Sequence, residues 1–199
     1  MNTLWIALLT AYLLGSLPFA YWIAHSARGV DPRSVGDGNL GAKTESPRGN
    51  VFLNVGHAEG LLVGLLDIGK GAAAITFARA LGLDLGALLV VGLAAVLGHI
   101  WSLFLHLQGG QGMATTVGVL LALLPRETLL GVLVIALALI VTRHWDFACG
   151  VGLALIPIAA WQWEDNPTLA LYPIALLPLI ATRKWMQTAA ARWSHRRRV

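Results

Sequence analysis

Apolar residues run in long blocks along this chain, broken by short polar connections. The blocks lie at 3–27, 51–81, 84–106, 113–124, 128–142, 147–163 and 168–182. A bilayer span needs about 20 such residues, so the pattern predicts an all-α integral membrane protein with about seven transmembrane helices. The fourth block is short and predicts a tilted or half-length helix. As one straight helix, 51–81 would reach about 45 Å at about 1.5 Å per residue. Its first part is therefore expected to lie at the interface or re-enter. Pro125 and Pro167 fall between blocks, where proline belongs at a helix boundary. Pro157, Pro173 and Pro178 fall inside blocks and predict kinks that neighbouring helices tolerate. Gly60/Gly64 and Gly82/Gly86 are candidate close-packing pairs.

Composition sharpens this picture. Hydrophobic residues make up 57% of the 199 positions and charged ones 12%, with a mean hydropathy of +0.70. A soluble domain carries about a quarter of its residues as charges, which excludes that class. No basic residue precedes the apolar stretch of Met1 to Ala24, so it predicts a retained helix rather than a cleaved signal. The sole cysteine, Cys149, excludes an intramolecular disulfide and is expected as a small buried hydrophobe.

Charge then orients the chain. With seven spans, eleven of the fourteen basic residues fall on one side, and only Arg79 and Arg126 on the other. The positive-inside rule puts the N-terminus outside and the C-terminus in the cytoplasm. Trp5, Trp22, Trp145, Trp161, Trp163 and Trp185 fall near span ends, as an interfacial belt does. Residues 1–199 thus predict a single membrane-embedded domain ending in a basic cytoplasmic tail, 183–199. That tail suits anionic lipid headgroups rather than nucleic acid.

Chemistry is sought where polar groups occupy costly places. The first cytoplasmic connection, Asp31 to Lys43, carries Gly36, Gly38 and Gly41, which free the backbone to turn amides toward an anion. Arg33, Lys43 and Arg48 supply charge beside it. Gln108-Gly109-Gly110-Gln111-Gly112 forms a second loop able to approach a ligand. Asp67 and Lys70, three residues apart, share one face of an apolar segment, where each ionisable group costs about 2.5–3.5 kcal/mol. A self-neutralising structural pair is the alternative reading. His99 is expected to hydrogen-bond a neighbouring carbonyl, and His106 and His144 to lie at the interface. No Cys/His spacing suits a metal.

Taken in order, Leu14-Gly15-Ser16-Leu17-Pro18-Phe19, Gly36 to Ala42, Leu66 to Gly71, Gly98-His99 and Gln108 to Thr115 resemble the bacterial acyl-phosphate:glycerol-3-phosphate acyltransferases. The resemblance covers about residues 12–122 and continues in the seven-span layout. It implies acyl transfer from acyl phosphate to the sn-1 hydroxyl of glycerol 3-phosphate, in the cell (inner) membrane, among membrane lipids and without cofactor or metal. Carried over residue by residue, it implies Asp37 and Asn39 as catalytic. Gly36, Gly38, Lys43, Arg48, Lys70, Gly109, Gly110, Gln111 and Arg183 would bind substrate and its phosphates. Asp37 stands where the family has serine, and a carboxylate there could act as general base. Gln111 stands where the family has lysine. In Thr182-Arg183-Lys184-Trp185 only the arginine of the family's His-Arg-x-Asn remains. Lys43 and Lys184 could restore the missing positive charge. A catalytically silent relative that binds an anionic lipid precursor or partner stays open, as does a small transporter.

Overall fold

The computed structural model describes residues 2–33 and 51–196, with the side chains of 52, 53, 183, 184 and 187–196 left aside. Every long element among the described residues is helical. In chain order these are α1 (Asn2–Ser16), α2 (Phe19–Arg28), α3 (Val51–Asn54), α4 (His57–Ala80), α5 (Leu85–Ile100), α6 (Met113–Leu123), α7 (Pro125–Thr142), α8 (Trp145–Trp163) and α9 (Pro167–Arg196). A 3-10 turn, Leu103–Leu105, follows α5.

Among the described residues, five stretches are long and apolar enough to cross a membrane: Asn2–Arg28, His57–Ala80, Leu85–Leu105, Pro125–Thr142 and Trp145–Trp163. Met113–Leu123 and Pro167–Thr182 are shorter apolar helices. Together they coincide with the apolar blocks of the sequence. The chain is an all-helical, multi-pass membrane protein.

Two blocks are interrupted. The first is not one helix, because Pro18 lacks an N–H and disfavours helical geometry at the residue before it. Accordingly α1 stops at Ser16 and α2 starts at Phe19. The 51–81 block breaks after α3, around Val55 and Gly56, and continues as the 24-residue α4. Pro125 and Pro167 each open a helix, and Pro157, Pro173 and Pro178 lie inside α8 and α9. Cys149 is buried.

The helices pair chiefly as α1 with α5, α4 with α6 and α7 with α8. Glycines set the first two contacts. A Cβ on Gly15 would run into the Ala95 backbone, and one on Gly98 into Tyr12. A Cβ on Gly71 would meet the Thr115 carbonyl, and one on Gly118 the Ile68 carbonyl. Three of the glycines expected from spacing do not pack this way. Gly64 and Gly82 face open space, and Gly86 has only the Asp84 side chain, at 3.5 Å. Four-residue spacing finds a smooth helix stripe; it does not find which stripe has a neighbour.

Between these helices lies an apolar core that includes Ile75, Val91, Val96, Ile100, Val119 and Leu120. On α7, Leu129, Leu133, Leu137, Ile140 and Val141 point outward, a face suited to lipid tails. A second cluster, Ala20, Ala24, Val51, Val55, Val63 and Leu105, packs α2 and α3 against α4.

Candidate functional site

The interruption after α1 creates the site. A helix end leaves carbonyls without intrahelical partners, and here α1 and α5 end side by side. Each satisfies the other. Ser102 Oγ donates to the Ser16 carbonyl at 2.5 Å, Ser16 Oγ to the Gly98 carbonyl at 3.2 Å, and the Tyr12 hydroxyl to the Trp101 carbonyl at 2.7 Å. These bonds hold the Leu17-Pro18 step at one end of the bundle.

Lys70 reaches this step from α4. Its Nζ donates to the Leu17 carbonyl at 2.9 Å and pairs with Asp67 Oδ1 at 2.8 Å. It also lies 5.6 Å from the centroid of the Phe19 ring, in cation–π range. An ammonium has three donors, so these two oxygens leave one N–H. Both charged residues are buried, and each neutralises the other. Burial is tolerable on those terms, because an unpaired charge in so apolar a setting would be far more costly.

Asp67 serves a second neighbour. His99 Nδ1, on α5, lies 3.6 Å from Asp67 Oδ1, beyond hydrogen-bond length but within ion-pair range. The ring thus has a carboxylate from another helix beside it. The His99 backbone is occupied too: its carbonyl accepts from the Gly110 N–H at 3.1 Å, as that of Ile100 does from Gly109 at 3.1 Å. A Cβ on Gly109 would collide with the His99 carbonyl, so only glycine allows this approach. The loop reaches it through His106 and Leu107, both left-handed with φ of 51° and 64°. Such a conformation costs non-glycine residues roughly 1–2 kcal/mol each. The Leu107 N–H donates to the Ser102 carbonyl at 2.8 Å, which helps fix the turn.

These groups line a small, partly open cavity. Ser16, Phe19, Asp67, Lys70, His99, Ser102, Gly109 and Gly110 are among its walls. It brings a carboxylate, an ammonium and an imidazole together with a glycine turn, at the end of apolar helices. Among the described residues no three His, Cys, Asp or Glu side chains gather to hold a metal.

Of the residues singled out in the sequence, the structure unites Lys70, Gly109 and Gly110 at this cavity. Gln111 is buried in the same turn. Gly36, Asp37, Gly38, Asn39, Lys43 and Arg48 lie outside the described residues, as does the side chain of Arg183 on α9. Arg33 is committed elsewhere. Its Nη2 meets Asp31 Oδ2 at 2.7 Å, its Nε meets Oδ1 at 3.1 Å, and its guanidinium lies 5.5 Å over the Tyr21 ring. The hydrogen bond from Arg33 holds the Asp31 carboxyl below its usual range, and in return the Arg33 value is raised. Sequence reasoning did not place Ser16, Phe19, Asp67, His99 or Ser102 in the site. Asp67 carried a signal in its three-residue spacing from Lys70, and Ser16, Phe19 and His99 stand in motifs of the family resemblance.

Comparison with known proteins follows the same line. A family profile described as Glycerol-3-phosphate acyltransferase matches residues 5–197. Glycerol-3-phosphate acyltransferase 1 of Deinococcus radiodurans is 47% identical over 120 residues, 60% of this chain and 57% of that protein. The chain thus spans little more than half the length of such curated relatives. The crystal structure of PlsY (YgiH), an integral membrane glycerol 3-phosphate acyltransferase, in its glycerol 3-phosphate form has a TM-score of 0.81 and 31% identity. That similarity covers 96% of this chain and 92% of the other. The lysophosphatidic acid form of PlsY gives a TM-score of 0.80 at 29% identity, with the same coverage. With a profile matched nearly end to end and a shared fold around the same helices, this chain belongs to the glycerol-3-phosphate acyltransferase family.

Proposed function

We propose that this protein transfers an acyl group from acyl phosphate to the sn-1 hydroxyl of glycerol 3-phosphate, forming lysophosphatidic acid. The observation that carries the proposal is the cavity that sets Asp67, Lys70 and His99 beside the Gly109-Gly110 turn. A polar pocket at the end of apolar helices suits a reaction between a water-soluble acceptor and an acyl donor dissolved in lipid. The forms in which the similar PlsY was crystallised, with glycerol 3-phosphate and with lysophosphatidic acid, support the same substrate and product.

In this reading residues 1–199 are one membrane-embedded domain in the cell (inner) membrane. The N-terminus lies outside, and the 183–199 tail touches anionic lipid on the cytoplasmic side at about 1 kcal/mol per basic residue. The Asp67–Lys70 pair is neutral, so phosphate binding draws its charge from Lys43, Arg48 and Arg183. The backbone around Gly36, Gly38, Gly109 and Gly110, and the Gln111 amide, add uncharged donors, with the remaining N–H of Lys70. Asp37 accepts the hydroxyl proton and Asn39 orients the acceptor. No cofactor takes part.

Phosphate release from acyl phosphate by the purified protein, with and without glycerol 3-phosphate, tests the proposal. Release that depends on the acceptor is expected; release absent or indifferent to the acceptor overturns it. Asp37→Asn should abolish transfer while leaving the protein folded, and full activity in that variant rejects the base. The replacement of the family's lysine by Gln111 favours one other reading, a silent relative. Its mark is binding of glycerol 3-phosphate without turnover.

A further inference from the structure

An ammonium that holds a substrate phosphate needs an N–H left over for it. Lys70 has three, of which Asp67 Oδ1 takes one at 2.8 Å and the Leu17 carbonyl another at 2.9 Å. The second bond is a product of the chain break. In an unbroken helix the Leu17 carbonyl would accept from the amide four residues on. Here Pro18 interrupts the ladder, and α2 opens with the Trp22 N–H on the Pro18 carbonyl at 3.0 Å. What stands beside the ammonium next decides whether phosphate can reach it. A third oxygen would consume the last N–H, and water would compete for it.

Among the described residues no third oxygen bonds Lys70, and the next group is a ring. The ammonium lies over Phe19, 5.6 Å from the ring centroid. Phe19 is the first residue of α2, two positions from the Leu17 carbonyl, and its half-buried side chain lines the same cavity. One short step of chain thus supplies both an oxygen and a ring to one ammonium. The ring is held in turn by Trp22, with centroids 5.8 Å apart and planes at 79°, the edge-to-face arrangement that aromatic pairs favour. An aromatic face attracts a cation through its quadrupole, more strongly where water is excluded. Lys70 meets that condition, being 5% exposed. The face offers no oxygen lone pair, so it shields the ammonium without spending the last N–H.

We propose that Phe19 is a positioning residue of the site. Its π face stabilises and shields the Lys70 ammonium, and so keeps one N–H for the phosphate of a substrate. The inference rests on the acyl-transfer reading above. The bulk of the ring closes the mouth of the cavity in any reading; the proposal is that its electrons matter as well.

The test separates electrons from bulk in the full chain, purified in micelles. Phenylalanines carrying one, two and three fluorines are placed at position 19 by nonsense suppression, beside Phe19→Tyr and Phe19→Leu. Fluorine drains the π face while leaving the shape of the ring nearly unchanged. Binding is read by calorimetry with glycerol 3-phosphate and with an acyl phosphonate, a donor analogue that cannot transfer its chain. KM and kcat are read for glycerol 3-phosphate and acyl phosphate. Affinity for one of the two ligands should fall stepwise with fluorine number. It should drop by about two- to thirtyfold in Phe19→Leu, the range of a cation–π contact, and recover in Phe19→Tyr. The loss should fall on KM more than on kcat, with the unfolding midpoint constant across the fluorinated rings. The ligand that follows the fluorine number is the one whose phosphate meets Lys70. Affinities that are flat across the fluorine series for both ligands overturn the proposal, even where Phe19→Leu is impaired, because bulk alone then accounts for the ring. A wild type that binds but shows no acceptor-dependent phosphate release overturns the acyltransferase reading, and the calorimetric series still decides the role of Phe19. A wild type that binds neither ligand overturns both.

Discussion

The Lys70 ammonium donates to the Leu17 carbonyl across 2.9 Å and so ties the middle of α4 to the break between α1 and α2. Both Lys70 and its partner Asp67 are at most 5% exposed. Removing one half of such a pair strands the other in an apolar setting, at a cost of about 3–5 kcal/mol. Lys70→Met should therefore lower stability by that order in reversible unfolding from micelles. The double variant Asp67→Leu, Lys70→Met should recover most of the loss while remaining inactive. Equal stability of Lys70→Met and wild type would show that the tie does not hold the break.

That tie also marks where the sequence stops being legible. Asp67 and Lys70 share a face because three residues is nearly one helical turn, which any reader of the chain can count. The same local arithmetic located the glycine turn at 108–112 and helix boundaries at Pro125 and Pro167. The partners of these features were hidden because they come from far along the chain. Leu17 is the acceptor for Lys70, Ser16 for Ser102, and Asp67 the counterpart of His99. No periodicity encodes which helix stands opposite. For the same reason spacing pointed to Gly64, Gly82 and Gly86, whereas close backbone contacts occur at Gly15, Gly71, Gly98 and Gly118.

Gly118 and Gly64 offer a matched comparison. A methyl group on Gly118 points into the Ile68 carbonyl across the α4–α6 contact, whereas one on Gly64 meets nothing within 4 Å. Gly118→Ala should separate the two helices and cost about 1–3 kcal/mol, the usual range for overpacking. Gly64→Ala should be neutral or gain about 0.5–1 kcal/mol from helix propensity. Thermal unfolding of the two variants side by side checks the order. A reversed order removes Gly118 as the contact-setting residue.

Asp31 and Arg33 give a pH-dependent expectation outside the spans. The Arg33 hydrogen bond holds the Asp31 carboxyl below the ordinary 3.8. A depressed value means that the pair contributes fully above the ordinary value and is lost as pH falls through the depressed one. Arg33→Gln should return the Asp31 titration to near 3.8, read by the carboxyl carbon shift of labelled protein. Salt should weaken the difference, because the pair is partly exposed. An unchanged titration in Arg33→Gln means the guanidinium is not its cause.

Glu127 sets up the opposite case from Lys70, a buried ionisable group with no counterpart among the described residues. It lies in the first turn of α7 with no exposed surface, and neither carboxyl oxygen has a hydrogen-bond partner among the described residues. The neighbouring Thr128 hydroxyl is buried in the same condition. A buried polar group without a partner costs about 1–3 kcal/mol, and a methionine of similar length fills the space without that cost. Glu127→Met should therefore raise the unfolding midpoint, unlike most core substitutions, and Glu127→Ala should not, because it leaves a cavity. Turnover should be unaffected, since none of the cavity-lining residues is Glu127. A fall in stability for Glu127→Met would mean that the carboxyl is held by a contact worth more than its desolvation.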